Sequence, residues 1–325
     1  MKSRVLNEVL RKRRLDVDFT QQDLSSMSGV NISIIKALET GRSDTTYENI
    51  SKLCEALKIP ISEVYLEDFR ETKVITVANN KGGSGKTSVV ASLGYCLSEI
   101  NENRVLLIDG DMQMNLSYSY NVERNDRLNL YEAIIQESPL TEYIVNTEFQ
   151  NIDIIISDFN MATIEMILFT KTLRETIFKR ILQPVIDMGT YDYIIIDTNP
   201  TLGILNFNIL NASDYIIVPV EMSAFGILGL EILTKFIRQA QDINQNLAIA
   251  GVLRTKVDKR ELITTEAENV LIDVFGNKIF DTYIPIDTNV KKSQWEQIPL
   301  NVFSENSRAN KQYQNLAKEV SRIVK

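Results

Sequence analysis

The sequence VITVANNKGGSGKT occupies residues 74–87 and decides the fold of most of this 325-residue chain. It joins a short β-branched run, Val74–Ala78, to a glycine-rich turn and then to an apolar helical pattern that begins near Lys86. A strand, a loop of converging backbone N–H groups and a helix N-terminus together make a binding site for phosphate. The pattern therefore predicts a phosphate-binding loop at the end of a buried strand.

Each residue type in this loop has a chemical use. Glycines let the backbone approach phosphate oxygens closely. We expect Lys86 to reach the β- and γ-phosphates of a nucleotide, and the Thr87 hydroxyl to bind Mg²⁺. The predicted nucleotide-binding residues are Gly82, Gly83, Ser84, Gly85, Lys86, Thr87 and Ser88.

More β-branched runs follow, and they alternate with longer amphipathic stretches. Nearly continuous apolar strands separated by helices predict an α/β P-loop NTPase domain with a mostly parallel sheet covered on both faces. After Val74–Ala78 the predicted strands are Val105–Ile108, Ile152–Ile156, Tyr193–Ile196, Tyr215–Val220, Ile249–Leu253 and Ile279–Ile284.

The N-terminal part of the chain has a different pattern. Its first 65 residues contain short helical segments with turn signals between them and no strand-like run, which predicts an all-α domain. The charged stretch Leu66–Lys73 is typical of a linker. We therefore expect a domain over residues 1–70 and a second domain over residues 71–325.

Composition narrows the classes of protein. Hydrophobic residues make up 44% and charged residues 24%, as in globular domains with a substantial core. No apolar run approaches the roughly 18 residues of a membrane span, and the N-terminus is too charged for a secretory signal. These features predict a cytoplasmic protein without a membrane partner.

Two residue types limit the chemistry. The chain has no histidine, which excludes imidazole catalysis and histidine-ligated zinc. Cys54 and Cys96 both lie in apolar helical patterns, so we expect buried thiols rather than a disulfide.

The charge of −8 is unevenly distributed along the chain. Residues 1–70 are neutral, residues 71–288 carry −12 and residues 289–325 carry +4. A basic end on an acidic body can mark a surface that binds polyanions. A solvated terminal helix explains the charge equally well.

The loop departs from the usual GxxxxGK[ST] spacing, because Asn80 stands where the first glycine belongs and a second lysine, Lys81, begins KGGSGKT. This deviant Walker A form resembles the ParA/MinD family of partition and positioning ATPases, and the ParA branch most closely, from about Lys73 onward. The resemblance implies hydrolysis of ATP with Mg²⁺ and a homodimer in the ATP state. It also implies that Lys81 contacts the phosphates bound by the partner subunit.

The sequence VLLIDGDMQMN at residues 105–115 resembles the family motif LLIDxDPQxN. A strand delivers Asp109 and Asp111 to its carboxyl end, where ligands bind in open α/β sheets. The resemblance implies that Asp111 positions the attacking water and that Asp109 supports the Mg²⁺ shell. Met112 and Met114 replace the usual proline and glycine, which predicts an altered switch loop.

The sequence YIIIDTNP at residues 193–200 resembles a Walker B strand followed by a second switch. Asp197 would hold Mg²⁺ beside the phosphates, usually through water. Asn199 stands where the family pattern DxPP has its first proline, which favours a looser hinge. The predicted catalytic residues are thus Lys81, Lys86 and Asp111, and the predicted metal ligands are Thr87, Asp109 and Asp197.

A family element that usually reads IPRN lies near the C-terminus. Here it reads Ile284-Pro285-Ile286-Asp287, so the arginine is missing. This leaves open how the nucleotide base is recognised and whether Ile286 contacts DNA. The predicted DNA contacts of this region are Lys291, Lys292, Arg308 and Lys311.

The stretch from Phe19 to Tyr65 shows helix signals in close succession. Thr20 is a predicted N-cap, Gly29 supplies a turn, and Gly41 ends a second helix over residues 31–40. The whole stretch resembles the Cro/repressor (XRE-type) helix-turn-helix family.

In that family the N-terminal residues of the second helix enter the major groove. The exposed positions we expect there are Ile32, Ser33, Ile34, Lys36 and Ala37. A docking site for protein, with Ile32 and Ile34 as its apolar patch, is the alternative. The predicted DNA contacts of the N-terminal domain are Gln21, Asn31, Ser33, Lys36 and Arg42.

Together these resemblances predict a ParA-type ATPase for DNA partition, associated with the nucleoid. Its ATP-bound homodimer would bind double-stranded DNA nonspecifically, and a ParB-like centromere-binding protein would stimulate hydrolysis. The helix-turn-helix would bind an operator. The alternatives are an ATP-regulated transcriptional repressor and, less consistent with the C-terminus, a MinD-like membrane-positioning ATPase.

Overall fold

The computed structural model describes residues 2–223, 229–258 and 262–324. The chain divides into two compact units. One comprises residues 1–71 with 188–190, and the other comprises residues 72–187 with 191–325.

Four helices form most of the N-terminal unit, and their apolar faces share one core. Leu10, Leu24, Ile35, Leu38 and Leu53 are completely buried in it. Cys54 is a buried free thiol, as predicted. The helices are α1 (Asn7–Asp16), α2 (Gln21–Ser28), α3 (Ile32–Glu39) and α4 (Tyr47–Leu57).

The predicted ends of these helices are confirmed. The Thr20 hydroxyl accepts the N–H of Asp23, and the Asp23 carboxylate accepts the N–H of Thr20, which makes a capping box. Gly29 and Gly41 have φ values of 71° and 68°, the left-handed conformation in which glycine costs least. Local capping and turn chemistry therefore fix the boundaries of α2 and α3.

The prediction that the first 65 residues contain no strand was wrong. Strand β1 (Lys2–Val5) pairs antiparallel with β2 (Tyr65–Phe69), with Val5 opposite Tyr65. Four residues that include a lysine and an arginine give no periodic signal, and the pairing joins segments about sixty residues apart in sequence. The unit is helical with one small sheet, and β2 lies in the stretch interpreted as a linker.

The second unit is built on an eight-stranded sheet with the order β10-β9-β8-β3-β7-β4-β6-β5. All seven predicted strands are present and lie parallel to their neighbours, while the two-residue β5, which the sequence analysis missed, is antiparallel to β6. The strands are β3 (Lys73–Val77), β4 (Val105–Gly110), β5 (Val145–Asn146), β6 (Ile152–Ile155), β7 (Tyr193–Thr198), β8 (Tyr215–Glu221), β9 (Ala248–Val257) and β10 (Ile279–Pro285).

Helices cover both faces of this sheet, as predicted. Ile195 points to the core that holds α5 and α15, whereas Ile194 and Ile196 point to the core beneath α9 and α10. The helices are α5 (Lys86–Ser98), α6 (Asn115–Ser119), α7 (Leu130–Gln136), α8 (Ile164–Thr170), α9 (Ile177–Asp187), α10 (Ile204–Asn211), α11 (Leu230–Ile243), α12 (Leu262–Phe275), α13 (Thr288–Trp295), α14 (Leu300–Phe303) and α15 (Arg308–Ile323).

The strand order brings three motif-bearing strand ends together. Strand β7 lies between β3 and β4, so Asp197 is in register with Val77 on one side and with Asp109 on the other. The carboxyl ends of parallel strands meet at one edge of the sheet, so the glycine-rich loop and both aspartates share that edge. Among the described residues, no helix is both long enough and apolar enough to cross a bilayer.

Candidate nucleotide-binding site

The glycine-rich loop leads directly into α5. Gly83 and Gly85 have φ values of 75° and 92°, which only glycine adopts readily. Gly85 is the N-cap of α5 and offers no side-chain acceptor to the first N–H groups of the helix. Those groups are therefore available to an anion.

Lys86 lies across this loop. Its ammonium donates to the Lys81 carbonyl at 3.2 Å, and Lys86 as a whole is only 6% exposed. Burial lowers the pKa of Lys86 below its ordinary value, although the charges of Asp197 and Asp111 act in the opposite direction. A buried cation aimed into a loop of free N–H groups is suited to bind phosphate.

Asp109 is completely buried and held by the start of the neighbouring helix. It accepts the Ser117 N–H at 2.9 Å, the Ser117 hydroxyl at 2.7 Å and the Asp111 N–H at 3.2 Å. Burial raises the pKa of Asp109 to about 6, against the effect of the Ser117 hydrogen bonds. These bonds fix its orientation beside Asp197.

Asp197 is also completely buried, but neither carboxylate oxygen makes a hydrogen bond of ordinary geometry. Burial and the Asp109 charge raise its pKa well above the ordinary value, while the Thr87 hydroxyl and the Lys86 charge lower it. A buried carboxylate without a hydrogen-bond partner is costly unless a cation compensates it.

These residues fit a Mg²⁺ ion that takes most of its ligands from phosphate and water and few from the protein. No group of three or more histidine, cysteine, aspartate or glutamate side chains within the described ranges is arranged to hold a metal. Mg²⁺ usually uses one or two protein oxygens and fills its shell with phosphate and water. The unpaired Asp197 oxygens near Thr87 match that requirement.

The first switch loop carries Asp111, which is half-buried. Its carboxylate accepts the Gln113 N–H at 3.1 Å, and its carbonyl accepts the Met114 N–H at 2.9 Å. Met114 is completely buried with a φ of 54°. Glycine, which is usual at this position in the ParA/MinD motif that the sequence resembles, would adopt this conformation without strain. Met114 therefore combines a buried apolar side chain with a strained backbone.

The second switch is held by one side chain. The Asn206 amide donates to the Asn199 carbonyl at 3.0 Å, to the Asn199 side chain at 2.9 Å and to the Thr201 carbonyl at 2.6 Å. Asn199 also accepts the Thr201 hydroxyl at 2.7 Å. Hydrogen bonds thus restrain a turn that proline stiffens in the family pattern.

A cavity of about 880 Å³ opens over these elements. Ser84, by contrast, is completely buried, and its hydroxyl has no partner. Of the predicted nucleotide-binding, catalytic and metal-binding residues, those that line the cavity are Gly82, Gly83, Gly85, Lys86, Thr87, Ser88 and Asp111.

The signature lysine does not line this cavity. The Lys81 ammonium donates to Glu221 Oε2 at 2.8 Å and to the Ser223 hydroxyl at 3.2 Å, both at the end of β8. Lys81 therefore forms an ion pair within its own subunit.

Sequence reasoning missed several residues of the cavity. Thr255 and Lys256, at the end of β9, line it, and the Thr255 hydroxyl donates to the Ser84 carbonyl at 2.8 Å. Trp295 lines it from α13, and the neighbouring Gln294 donates to Ser88 at 3.1 Å. The position of β9 in a parallel sheet was the available signal, because ligands bind at the carboxyl ends of such strands.

The altered IPRN element has a structural role. Asp287 caps α13 by accepting the Asn289 N–H at 3.0 Å, and it accepts the Ala309 N–H of α15 at 3.1 Å. Ile286 lines the cavity and is half exposed. The aspartate thus orders the two helices that carry the basic residues.

The predicted C-terminal DNA contacts are all exposed. Lys291 and Lys292 lie on α13, and Arg308 and Lys311 lie at the start of α15. Lys291 also lines the cavity, and Arg308 donates to the Ile286 carbonyl at 3.2 Å. Lys325, which contributes to the basic end in sequence, lies outside the described residues.

The predicted DNA contacts of the helix-turn-helix differ in solvent exposure and in the hydrogen bonds that they make within the domain. Ser33 and Lys36 are exposed, but Asn31 caps α3 and accepts the Ser33 hydroxyl at 2.7 Å. Gln21 donates to Glu39 at 2.7 Å. Arg42 is exposed.

The expectation of a fully exposed row on α3 was wrong for its apolar members. Ile34 packs against the core, and Ile32 and Ala37 are half-buried. Residues on one turn of a helix face different directions, and α3 must bury its apolar side. The apolar patch of the protein-docking alternative is therefore reduced.

Two family models match this chain. The family model described as AAA domain matches residues 72–249, and the one described as Helix-turn-helix matches residues 10–64. The sporulation initiation inhibitor protein Soj of Bacillus subtilis (strain 168) is 34% identical over 251 residues, which cover 77% of this chain and 98% of Soj. The chain belongs to the ParA/Soj family of P-loop ATPases.

Two further proteins are similar to this member of the ParA/Soj family. The chromosome partitioning protein ParA of Caulobacter vibrioides (strain NA1000 / CB15N) is 31% identical over 250 residues, covering 76% of this chain and 93% of ParA. Cobyrinic acid a,c-diamide synthase of Mycobacterium smegmatis, solved with an ATP analogue and magnesium, superposes with a TM-score of 0.66 at 28% identity. That match covers 77% of this chain and 95% of the synthase.

Proposed function

We propose that this chain is a DNA-partition ATPase that uses ATP and Mg²⁺ to switch between a monomer and a DNA-binding homodimer. The observation that carries the proposal is the shared strand edge, where Lys86, Thr87, Asp109, Asp111 and Asp197 converge. The similarity to Soj and ParA supports partition as the cellular role.

In this mechanism the loop holds the phosphates. The N–H groups of Gly83 to Thr87 and the Lys86 ammonium compensate the negative charge of the β- and γ-phosphates. The Thr87 hydroxyl and Asp197 would hold Mg²⁺, which would supply positive charge to the phosphate oxygens. Asp109 is fixed by Ser117 and accepts the Asp111 N–H, so it helps to hold the backbone of Asp111 in position.

Asp111 acts on the water. Its carboxylate accepts a hydrogen bond from a water molecule, and this bond orients the water oxygen toward the γ-phosphorus. A new P–O bond forms as the bond to the bridging oxygen of ADP breaks, and the water's proton leaves with the phosphate product. The carboxylate is a weak base, so intrinsic hydrolysis is slow and the ATP state persists.

Lys81 makes the switch depend on a second subunit. We expect it to leave Glu221 and bind the phosphates held by the partner, as the family resemblance implies. Contacts available only in the dimer favour that state for as long as ATP lasts. Hydrolysis and release of phosphate then return the chain to the monomer.

The dimer would bind DNA through its basic C-terminal residues. Lys291, Lys292, Arg308 and Lys311 are exposed, and two subunits present twice as many cations to the phosphate backbone. Such binding ignores sequence and supports association with the nucleoid. A ParB-like centromere-binding partner would accelerate hydrolysis and release the dimer.

The helix-turn-helix favours a second activity, operator binding. Ser33 and Lys36 are exposed near the start of α3, the element that enters the major groove in this class. An ATP-regulated repressor is therefore the second candidate. It differs from partition in one measurable respect: the operator would bind tightly, and random DNA would bind weakly even with ATP.

The experiment that tests the proposal measures DNA binding by fluorescence anisotropy with ATP, ADP and no nucleotide. Partition predicts that random duplex binds only with ATP. A full-length chain that binds random DNA equally in all three conditions contradicts the nucleotide switch. Comparison with a chain that lacks residues 1–70 separates the contribution of the helix-turn-helix.

A further inference from the structure

Glu221 lies between two lysines. Its Oε2 accepts the Lys81 ammonium at 2.8 Å, and the Lys256 ammonium lies 3.6 Å from its Oε1. Lys81 comes from the phosphate loop and Lys256 from the end of β9, the strand next to β8. One carboxylate thus has a partner on each side.

The two lysines differ in their surroundings. The Lys81 and Glu221 side chains are 27% and 24% exposed, whereas the Lys256 side chain is 47% exposed. Burial raises the pKa of Glu221, but the hydrogen bond from Lys81 and the charges of Lys256 and Lys81 outweigh it, so the pKa lies below its ordinary value. The carboxylate is therefore charged near neutral pH.

Lys256 is held in place by its backbone. It adopts a left-handed φ of 52°, which a residue with a side chain rarely keeps unless its neighbours enforce it. On one side Thr255 is bonded to the Ser84 carbonyl at 2.8 Å, and on the other the Val257 carbonyl accepts the Ile286 N–H at 3.3 Å. The side chain reaches the loop, where a Cβ on Gly83 would lie 3.7 Å from its ammonium.

Departure of Lys81 has an electrostatic cost. If Lys81 is to reach the partner's phosphates, it must leave a mostly buried carboxylate, and such a group is destabilising without a counter-ion. Lys256 already contacts the other oxygen of that carboxylate. It can keep Glu221 compensated after Lys81 has gone.

We propose that Lys256 is a positioning residue that takes over Glu221 as its counter-ion and so releases Lys81 for the partner subunit. The proposal rests on the cross-subunit role of Lys81. Lys256 acts through Glu221 and transfers no proton or phosphate. Its effect belongs to dimerisation at saturating ATP.

The test is ATP-dependent dimerisation of the full chain by light scattering over a range of protein concentrations. Lys256→Met keeps the aliphatic length of the side chain and removes its charge. We expect the protein concentration at half-dimer to rise about threefold to fivefold, as for loss of a partly exposed ion pair. Lys256→Arg should dimerise like the wild type. Because Lys256 lines the cavity, the ATP affinity of each monomeric variant is measured first, and dimerisation is compared at saturating ATP.

Rescue distinguishes this role from a structural one. The double variant Lys256→Met with Glu221→Gln lacks the charge that retains Lys81. Its protein concentration at half-dimer should therefore return to the wild-type value or fall below it. Lys235→Met is the matched control, because it removes a lysine from an exposed ion pair with Glu231 far from the loop in sequence. Melting temperatures identify any variant that fails to fold, in which case Lys256→Gln replaces Lys256→Met.

Wild-type dimerisation by folded Lys256→Met, or no rescue in the double variant, overturns the proposal. Its failure can be separated from failure of the proposed function. If Lys81→Ala still dimerises with ATP, the cross-subunit role itself is wrong. If Lys81→Ala loses the dimer while Lys256→Met keeps it, only the role of Lys256 is wrong.

Discussion

The Lys86 ammonium donates to the carbonyl of Lys81 at 3.2 Å, so Lys86 closes the loop that Lys81 begins. The two lysines thereby have separate positions: Lys86 faces the cavity, and Lys81 pairs with Glu221. A triphosphate in the cavity would offer Lys86 a stronger acceptor than a carbonyl, because charge-assisted hydrogen bonds are stronger than neutral ones.

Lys86→Ala should abolish measurable ATP binding. The variant loses the buried cation and its hydrogen bonds to phosphate, each of which contributes about 1.5–3 kcal/mol, so affinity should fall at least about a hundredfold. Titration calorimetry measures it, with Lys235→Ala as a control that removes an exposed lysine. Undiminished affinity would show that the loop does not bind the phosphates.

Lys81→Ala should spare ATP binding by the monomer and remove the ATP-dependent dimer. Lys81 pairs with Glu221 and does not line the cavity, so its loss leaves the phosphate cradle intact. Light scattering with and without ATP measures the dimer, and phosphate release measures turnover. A dimer of normal stability with normal turnover would refute a cross-subunit role.

Asp111→Ala should bind ATP and Mg²⁺ normally but hydrolyse slowly, which traps the dimer. Asp111 lines the cavity, while the buried pair Asp109 and Asp197 remains to support the metal. Loss of a group that positions the reacting water typically costs about a hundredfold or more in rate. Single-turnover phosphate release is the measurement, and a wild-type rate would assign the water to another residue.

Asp109→Asn should change how stability depends on pH. Burial raises the pKa of Asp109 to about 6, above its unfolded value, so its charge destabilises the fold at neutral pH and protonation relieves that cost as pH falls. Between pH 7.5 and pH 4, the wild type should gain about 2 kcal/mol relative to the variant. Denaturant unfolding at pH steps measures this difference, and parallel profiles for the two proteins would contradict it.

Two DNA affinities should be separable. Lys292→Glu with Lys311→Glu should weaken binding of the ATP dimer to every duplex alike, because we expect these exposed lysines to contact phosphates, which carry no sequence information. The dimer should show about twice the salt slope of a monomer, since the slope follows the number of phosphates neutralised. Lys291 is left unchanged because it lines the cavity and its loss would also alter nucleotide binding.

Replacing Ser33 and Lys36 should instead affect only a particular operator. These side chains are exposed at the predicted reading helix, whereas nonspecific binding belongs to the C-terminal residues. Anisotropy on random and upstream duplexes at several salt concentrations makes the comparison. Equal binding of all upstream sequences after deletion of residues 1–70 would favour protein contacts for this domain.

Local chemistry determined much of this protein by sequence alone. Thr20, Gly29 and Gly41 specify helix ends through capping bonds and left-handed turns between near neighbours. KGGSGKT specifies a phosphate loop because positive φ and free N–H groups are properties of that short segment. The seven parallel strands were also predictable from sequence, because the strands of a sheet covered on both faces are mostly apolar along their length.

Tertiary structure alone decided relationships between distant segments. The pairing of β1 with β2, the ion pair of Lys81 with Glu221 and the approach of Lys256 to the loop all join residues far apart in sequence. The sequence also did not show which aspartate is paired: Asp109 is bound by Ser117, while Asp197, its neighbour in register, makes no hydrogen bond of ordinary geometry. Charge and hydrogen bonding act through space, so these contacts exist only once the strand order has brought the residues together.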